Sequence, residues 1–96
     1  MAADQQDPIA FRFEVFGRVQ GVGFRYFVHE TASRLGVVGW VRNRPDGSVE
    51  AWAEGLAAVI EQFAAALKEG PRMARVSRLE QLPVTPVSCD AFRITN

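Results

Sequence analysis

An α+β sandwich is the fold class that this chain predicts, on three observations. Residues 9–16 alternate apolar and polar side chains at the two-residue period of a strand. Residues 24–35 and 56–67 repeat their apolar side chains at the period of a helix. Between and after these helices lie further short alternating runs, bounded by turn residues.

The elements follow in order. Residues 1–8 have no periodicity and read as a flexible N-terminal tail, which leaves 9–96 as one domain. In the first strand Ile9, Phe11, Phe13 and Val15 share a face, with Arg12 and Glu14 opposite. From Phe24 the stripe Phe24, Phe27, Val28, Ala32 and Leu35 marks a helix, and Gly36 ends it in the C′ role. Val37–Arg42 reads as a second strand. Asn43-Arg44-Pro45-Asp46-Gly47 is a turn, with Pro presetting φ and Asp-Gly favouring reversal. Val49, Ala51 and Ala53 alternate in a third strand, paired with the second as a hairpin. Leu56, Val59, Ile60, Phe63, Ala64 and Leu67 form the second helical stripe, stopped by Gly70-Pro71. Residues 75–82 read as a fourth strand that Pro83 and Pro86 break, and Phe92 and Ile94 flank Arg93 in a short last one. Both helices are apolar on one side only, so they cover one face of an antiparallel sheet. This is the ferredoxin-like βαββαβ arrangement with a short extra C-terminal strand.

Composition narrows the function. Hydrophobic residues make up 48% of the 96, enough for one core and too many for disorder. Eleven basic side chains balance eleven acidic ones, whereas a protein that grips long nucleic acid carries a basic excess. No nucleic-acid partner is expected. Residues 1–8 have neither the basic nor the apolar region of a signal peptide, and no apolar run reaches the ~20 residues of a membrane span, so no membrane association is expected either. Cys89 is the single cysteine, which excludes an intrachain disulfide and points to the cytoplasm. One Cys and one His make a dedicated zinc site a poor fit.

The segment Gly17-Arg18-Val19-Gln20-Gly21-Val22-Gly23-Phe24-Arg25 carries the chemistry. Its glycines permit positive φ and let other atoms approach the backbone N–H groups. A loop that curls this way and opens a helix aims several amides at one anion. An arginine in the first turn adds a charge and a planar donor fork. The ordinary reading is a glycine-rich turn beside a surface arginine. The spacing is neither the P-loop pattern, which needs Gly-Lys-Ser/Thr, nor the dinucleotide fingerprint, so the anion expected is small. In the predicted topology the first two strands run the same way. Asn43, at the end of the second, therefore lies at the loop's end of the sheet and can share a pocket with Arg25.

These residues resemble the acylphosphatase family. A second signature, Gly39-Trp40-Val41-Arg42-Asn43, is followed by Gly47, Val49 and Gly55 at the family's intervals. The resemblance spans roughly residues 9–95. It implies hydrolysis of acyl phosphates to a carboxylate and inorganic phosphate, without a metal or other cofactor. It implies that Arg25 binds the phosphate and Asn43 orients the attacking water. The backbone amides of Gln20, Gly21, Val22, Gly23 and Phe24 are the implied cradle. Inorganic phosphate or sulfate is then a competing anion, and a monomer is expected.

Other residues carry less. His29 lies one turn beyond Arg25, at the helix surface. Cys89 has no histidine pattern near it and reads as structural or incidental. Trp40 and Trp52 read as covers for the sheet, and Arg12, Arg42 and Arg44 as ordinary surface charges. Arg18 adds field near the loop without a defined contact. The alternative to an enzyme is a nonenzymatic ferredoxin-like module that binds phosphate or RNA, since fold does not dictate function.

Overall fold

The computed structural model describes residues 7–95. Residues 1–6 of the expected tail, and Asn96, lie outside the described residues, and Asp7 and Pro8 are exposed. The elements are β1 (Ile9–Arg18), α1 (Phe24–Leu35), β2 (Val38–Asn43), β3 (Val49–Gly55), α2 (Ala57–Glu69), β4 (Arg75–Val84) and β5 (Phe92–Ile94). The strands form one sheet in the order β4-β1-β3-β2-β5.

The four long strands pair antiparallel, as the sequence predicts. The short β5 joins parallel to β2, so the sheet is mixed. The reason is the return path. β4 ends opposite Ala10, at the end of the sheet where β2 begins, and the chain crosses from one edge to the other there. The carboxylate of Glu54 holds this crossing. It accepts the Val87 N–H at 2.7 Å, the Cys89 N–H at 3.0 Å and the indole N–H of Trp52 at 2.8 Å.

Two boundaries differ from the periodic reading. Leu56 belongs to no helical stripe: it is the extended N-cap of α2 and 42% exposed. Its carbonyl accepts the Val59 and Ile60 amides, so the backbone cap is all that the position supplies. Pro83 does not break β4, which runs on to Val84. β4 is an edge strand, where a missing N–H on the outer side costs no ladder bond. The same edge position explains its poor alternation, because most of its side chains are exposed.

Between helices and sheet, large residues face small ones. Phe13 lies opposite Ala51 and Phe11 opposite Ala53, which leaves depth for the Phe63 ring of α2, 5.5 Å from Phe13 by centroid. Phe13 and Phe63 are both fully buried, and truncating such a ring to Ala costs about 3–5 kcal/mol. Phe24, the first residue of α1, is 1% exposed and stacks edge-on to Phe27 at 5.9 Å. The head of α1 is thereby fixed to the core.

The other face of the sheet is open and charged. Glu14 and Glu50 lie directly opposite in the β1–β3 register, a repulsive placement if unrelieved. Three arginines relieve it. Arg12 bridges Glu14 at 2.8 Å and Glu50 at 3.0 Å, Arg42 reaches Glu50 at 2.7 Å, and Arg44 pairs with Glu14. These arginines are thus a network rather than the separate solvated charges their sequence positions suggest. Trp40 and Trp52 stack across β2 and β3 on this face at 6.3 Å, covering the sheet as expected.

Glu50 and Glu54 are nearly buried, and burial by itself raises a carboxyl pKa. Hydrogen bonds from Arg42 and Arg12 outweigh it at Glu50, as those from Trp52, Val87 and Cys89 do at Glu54, so both fall below the ordinary 4.5. The native state therefore binds fewer protons than the unfolded chain in acid. Their contribution to stability is intact above about pH 4.5 and is lost as pH falls through the lowered native values. Urea titrations from about pH 7 to about pH 3 should show this decline, and the Glu50→Gln variant should show a shallower one. A flat profile in the parent protein would contradict the assignment. Glu54→Ala should lower stability by about 2–3 kcal/mol, because the crossing segment's donors lose a charged acceptor.

Candidate active site

β1 ends in a register shift against β4, between Phe16 and Gly17. Such a bulge bends the strand, and Gly17 and Arg18 still pair with Val76 and Arg75 of β4 before the chain leaves the sheet. Val19 then plugs into the core, 1% exposed, and residues 20–23 curl towards the head of α1. Gly21 at φ 74° and Gly23 at φ 79° are both left-handed, and Gly23 serves as the helix N-cap. No side chain caps this helix, and its first turn has no acidic residue.

The amides of this stretch are free. The first backbone bond into the helix runs from the Phe27 N–H to the Gly23 carbonyl at 3.0 Å. Among the described residues, none of the N–H groups from Gln20 to Tyr26 donates to a protein acceptor. Seven consecutive donors are left at the positive end of a helix dipole. Such an arrangement suits an anion.

A cavity of about 130 Å³ opens beside them, lined by Val19, Gly21, Gly23, Phe24, Arg25, Tyr26 and Asn43. Arg25 sits at the second helical position, half-buried, and forms no salt bridge among the described residues. Asn43 ends β2 on the helix-covered face and is also half-buried. The shared pocket predicted for Arg25 and Asn43 is therefore present. A hollow of about 480 Å³ on the open face is larger, but Arg12, Arg42 and Glu50 there are already paired with one another. The smaller cavity differs from that hollow in combining, among the described residues, free amides with an arginine that forms no salt bridge.

Of the five residues expected to form the cradle, Gly21, Gly23 and Phe24 line the cavity, and Gln20 and Val22 do not. The Gln20 side chain instead reaches the β2–β3 turn, donating from Nε2 to the carbonyls of Arg44 and Ser48, each at 2.8 Å. Val19 and Tyr26 line the cavity without having been singled out in the sequence. Tyr26 is 75% exposed, and its sequence signal is an aromatic one residue off the core stripe, next to Arg25. His29 is half-buried against Phe92, 6.2 Å between ring centroids, and takes no part in the cavity. Cys89 is structural: burial, then Glu54, raises its thiol pKa, so it is no activated nucleophile. Arg18 is exposed at the end of β1.

The fold and this site define a small α+β protein with a cavity at the head of its first helix, bordered by an arginine and an asparagine. Comparison with known proteins places it further. The acylphosphatase family model matches residues 11–94. An acylphosphatase of Syntrophotalea carbinolica is 53% identical over 72 residues, covering 75% of this chain and 78% of that protein. The crystal structure of acylphosphatase from Bacillus subtilis superposes with a TM-score of 0.90 at 38% identity, covering 92% of this chain and 99% of that one. The same fold forms 12% of full-length HypF, solved in a phosphate- and nucleotide-bound form, with a TM-score of 0.85 at 28% identity over 94% of this chain. The chain belongs to the acylphosphatase family, a family of enzymes of acyl phosphate hydrolysis.

Gly23 offers a direct check on the loop. A Cβ there would meet no atom within 4 Å, so only the positive φ resists it. Gly23→Ala should cost about 1–2 kcal/mol of stability in a urea titration and should weaken competition by inorganic phosphate. An unchanged inhibition constant would show that the loop's curvature does not matter to anion binding.

Proposed function

We propose that this chain hydrolyses acyl phosphates by in-line attack of water, with the phosphoryl group held in the cavity at the head of α1. The observation that carries the reading is the run of amides from Gln20 to Tyr26 that, among the described residues, have no protein acceptor, beside Arg25, which has no salt bridge among them, and the Asn43 side chain. Amides from this run and the Arg25 guanidinium hold the phosphoryl oxygens. In a loose transition state, catalysis is mostly positioning and charge stabilisation, and preset donors supply the second at little reorganisation cost.

No general acid is needed, because the leaving group is a carboxylate that departs without protonation. Asn43 supplies the positioning. Its carbonyl oxygen accepts a hydrogen bond from the incoming water and holds it in line with the breaking bond. An amide is too weak a base to take the proton, so the proton passes to a phosphoryl oxygen. The products are the carboxylate and inorganic phosphate, and inorganic phosphate or sulfate competes for the same cradle. Every group assigned comes from one chain, so a monomer suffices. A lone, poorly reactive Cys89 is compatible with the cytoplasm.

The assay is turnover of benzoyl phosphate or acetyl phosphate in excess chelator. Rapid hydrolysis is expected. No turnover above buffer would leave the phosphate-binding module as the better reading. Arg25→Gln should lose about 10²–10³-fold or more in kcat/KM and should weaken phosphate competition. Asn43→Ala should lose about 10²–10³-fold in kcat while leaving the phosphate inhibition constant nearly unchanged. Wild-type turnover in Asn43→Ala would remove the water-positioning role.

A further inference from the structure

We infer that the side chain of Gln20 is a positioning residue, a clamp that sets the distance between the phosphate loop and the Asn43 carboxamide. The inference rests on the reading of Asn43 given above. It concerns the Gln20 side chain, whose function is separate from that of its backbone amide.

The geometry is specific. Carbonyl oxygens only accept, so the two bonds to Arg44 and Ser48 require the NH₂ end of the carboxamide and use both of its hydrogens. Arg44 directly follows Asn43 in the chain. Ser48 directly precedes Val49, the cross-strand partner of Asn43. The clamp therefore grips the hairpin one residue away from Asn43 on both strands. The hairpin end is itself rigid. The Arg44 N–H donates to the Ser48 carbonyl at 2.8 Å, and the Asp46 carboxylate accepts both the N–H and the hydroxyl of Ser48, at 2.9 and 2.6 Å. A pull on these carbonyls thus moves the end of β2 as a unit.

Among the described residues, the Gln20 side chain makes the only hydrogen bonds between loop residues 19–23 and the β2–β3 hairpin. Val19 holds the loop to the core by burial, which resists withdrawal but does not define a lateral register. The amides and Arg25 ride on the loop and α1, whereas Asn43 rides on β2. A water held by Asn43 reaches a phosphorus held by the loop in line only if these two bodies keep their spacing. Misplacement of about 1 Å between reacting groups costs on the order of 10²-fold in rate.

The test is a double-mutant cycle in the full chain, with benzoyl phosphate turnover, inorganic phosphate inhibition and thermal unfolding as readouts. Gln20→Met keeps the length and removes both donors. It should lower kcat roughly 10- to 100-fold and change the phosphate inhibition constant by less than about threefold. In an Asn43→Ala background the same change should lower kcat less than about threefold, because the group being positioned is already gone. A merely structural role would give losses that multiply across the two backgrounds, or a phosphate constant that rises with the fall in kcat, and either result overturns the clamp. Wild-type kcat in Gln20→Met while Asn43→Ala is impaired overturns the clamp and leaves the site reading standing. Wild-type kcat in Asn43→Ala overturns both. If Gln20→Met does not fold, Gln20→Ala gives the same test, since it removes both donors without adding a charge beside the phosphate loop.

Discussion

Seven backbone N–H groups, from Gln20 to Tyr26, that find no protein acceptor among the described residues are the constraint around which this molecule is arranged. Folded proteins pair nearly all such donors when they lie away from water. Here five of the seven residues, Gly21, Gly23, Phe24, Arg25 and Tyr26, line a small cavity that Asn43 also borders. The β1 bulge bends the end of the strand, the left-handed glycines curl the loop that follows, and the buried Phe24 fixes the helix head. Each of these features limits how the donors can move without satisfying any of them.

Charge is distributed with the same effect. The chain is neutral overall, but its charges are not evenly engaged. Glu14 and Glu50 hold Arg12, Arg42 and Arg44 on the open face of the sheet. Arg25, on the other side, meets no carboxylate among the described residues. The arginines of the open-face network are partly exposed but Glu50 is nearly buried, so the network both stabilises that carboxylate and engages the cations that sit near β2 and β3. Net charge bears on a long polyanion and says nothing about a single dianion, which responds to the local field.

The two halves of the site were unequally legible. The Gly17–Arg25 segment announces its purpose through residue types alone: glycines for curvature, and an arginine one position into the helix. Asn43 reads equally well as a turn residue, and only the order of strands brings it to the cavity. Gln20 was placed correctly in the loop but for its amide, while its side chain turned out to hold the hairpin, 24 residues away from one of its acceptors. A bond over that separation leaves no local pattern. The arginine network on the open face was hidden for the same reason, since it depends on Glu14 lying opposite Glu50.

Short-range periodicity determined the two helices, the strands and their order, because burial of one face is written in consecutive residues. It also determined where the glycine loop begins and ends, because left-handed backbone favours glycine. Tertiary structure alone decided the parallel β5, the place of Pro83 on an edge, the exposure of Leu56 and the spacing between loop and hairpin. Each of these depends on which strand lies beside which, and that register is chosen by packing across the whole sheet rather than by neighbours in the chain.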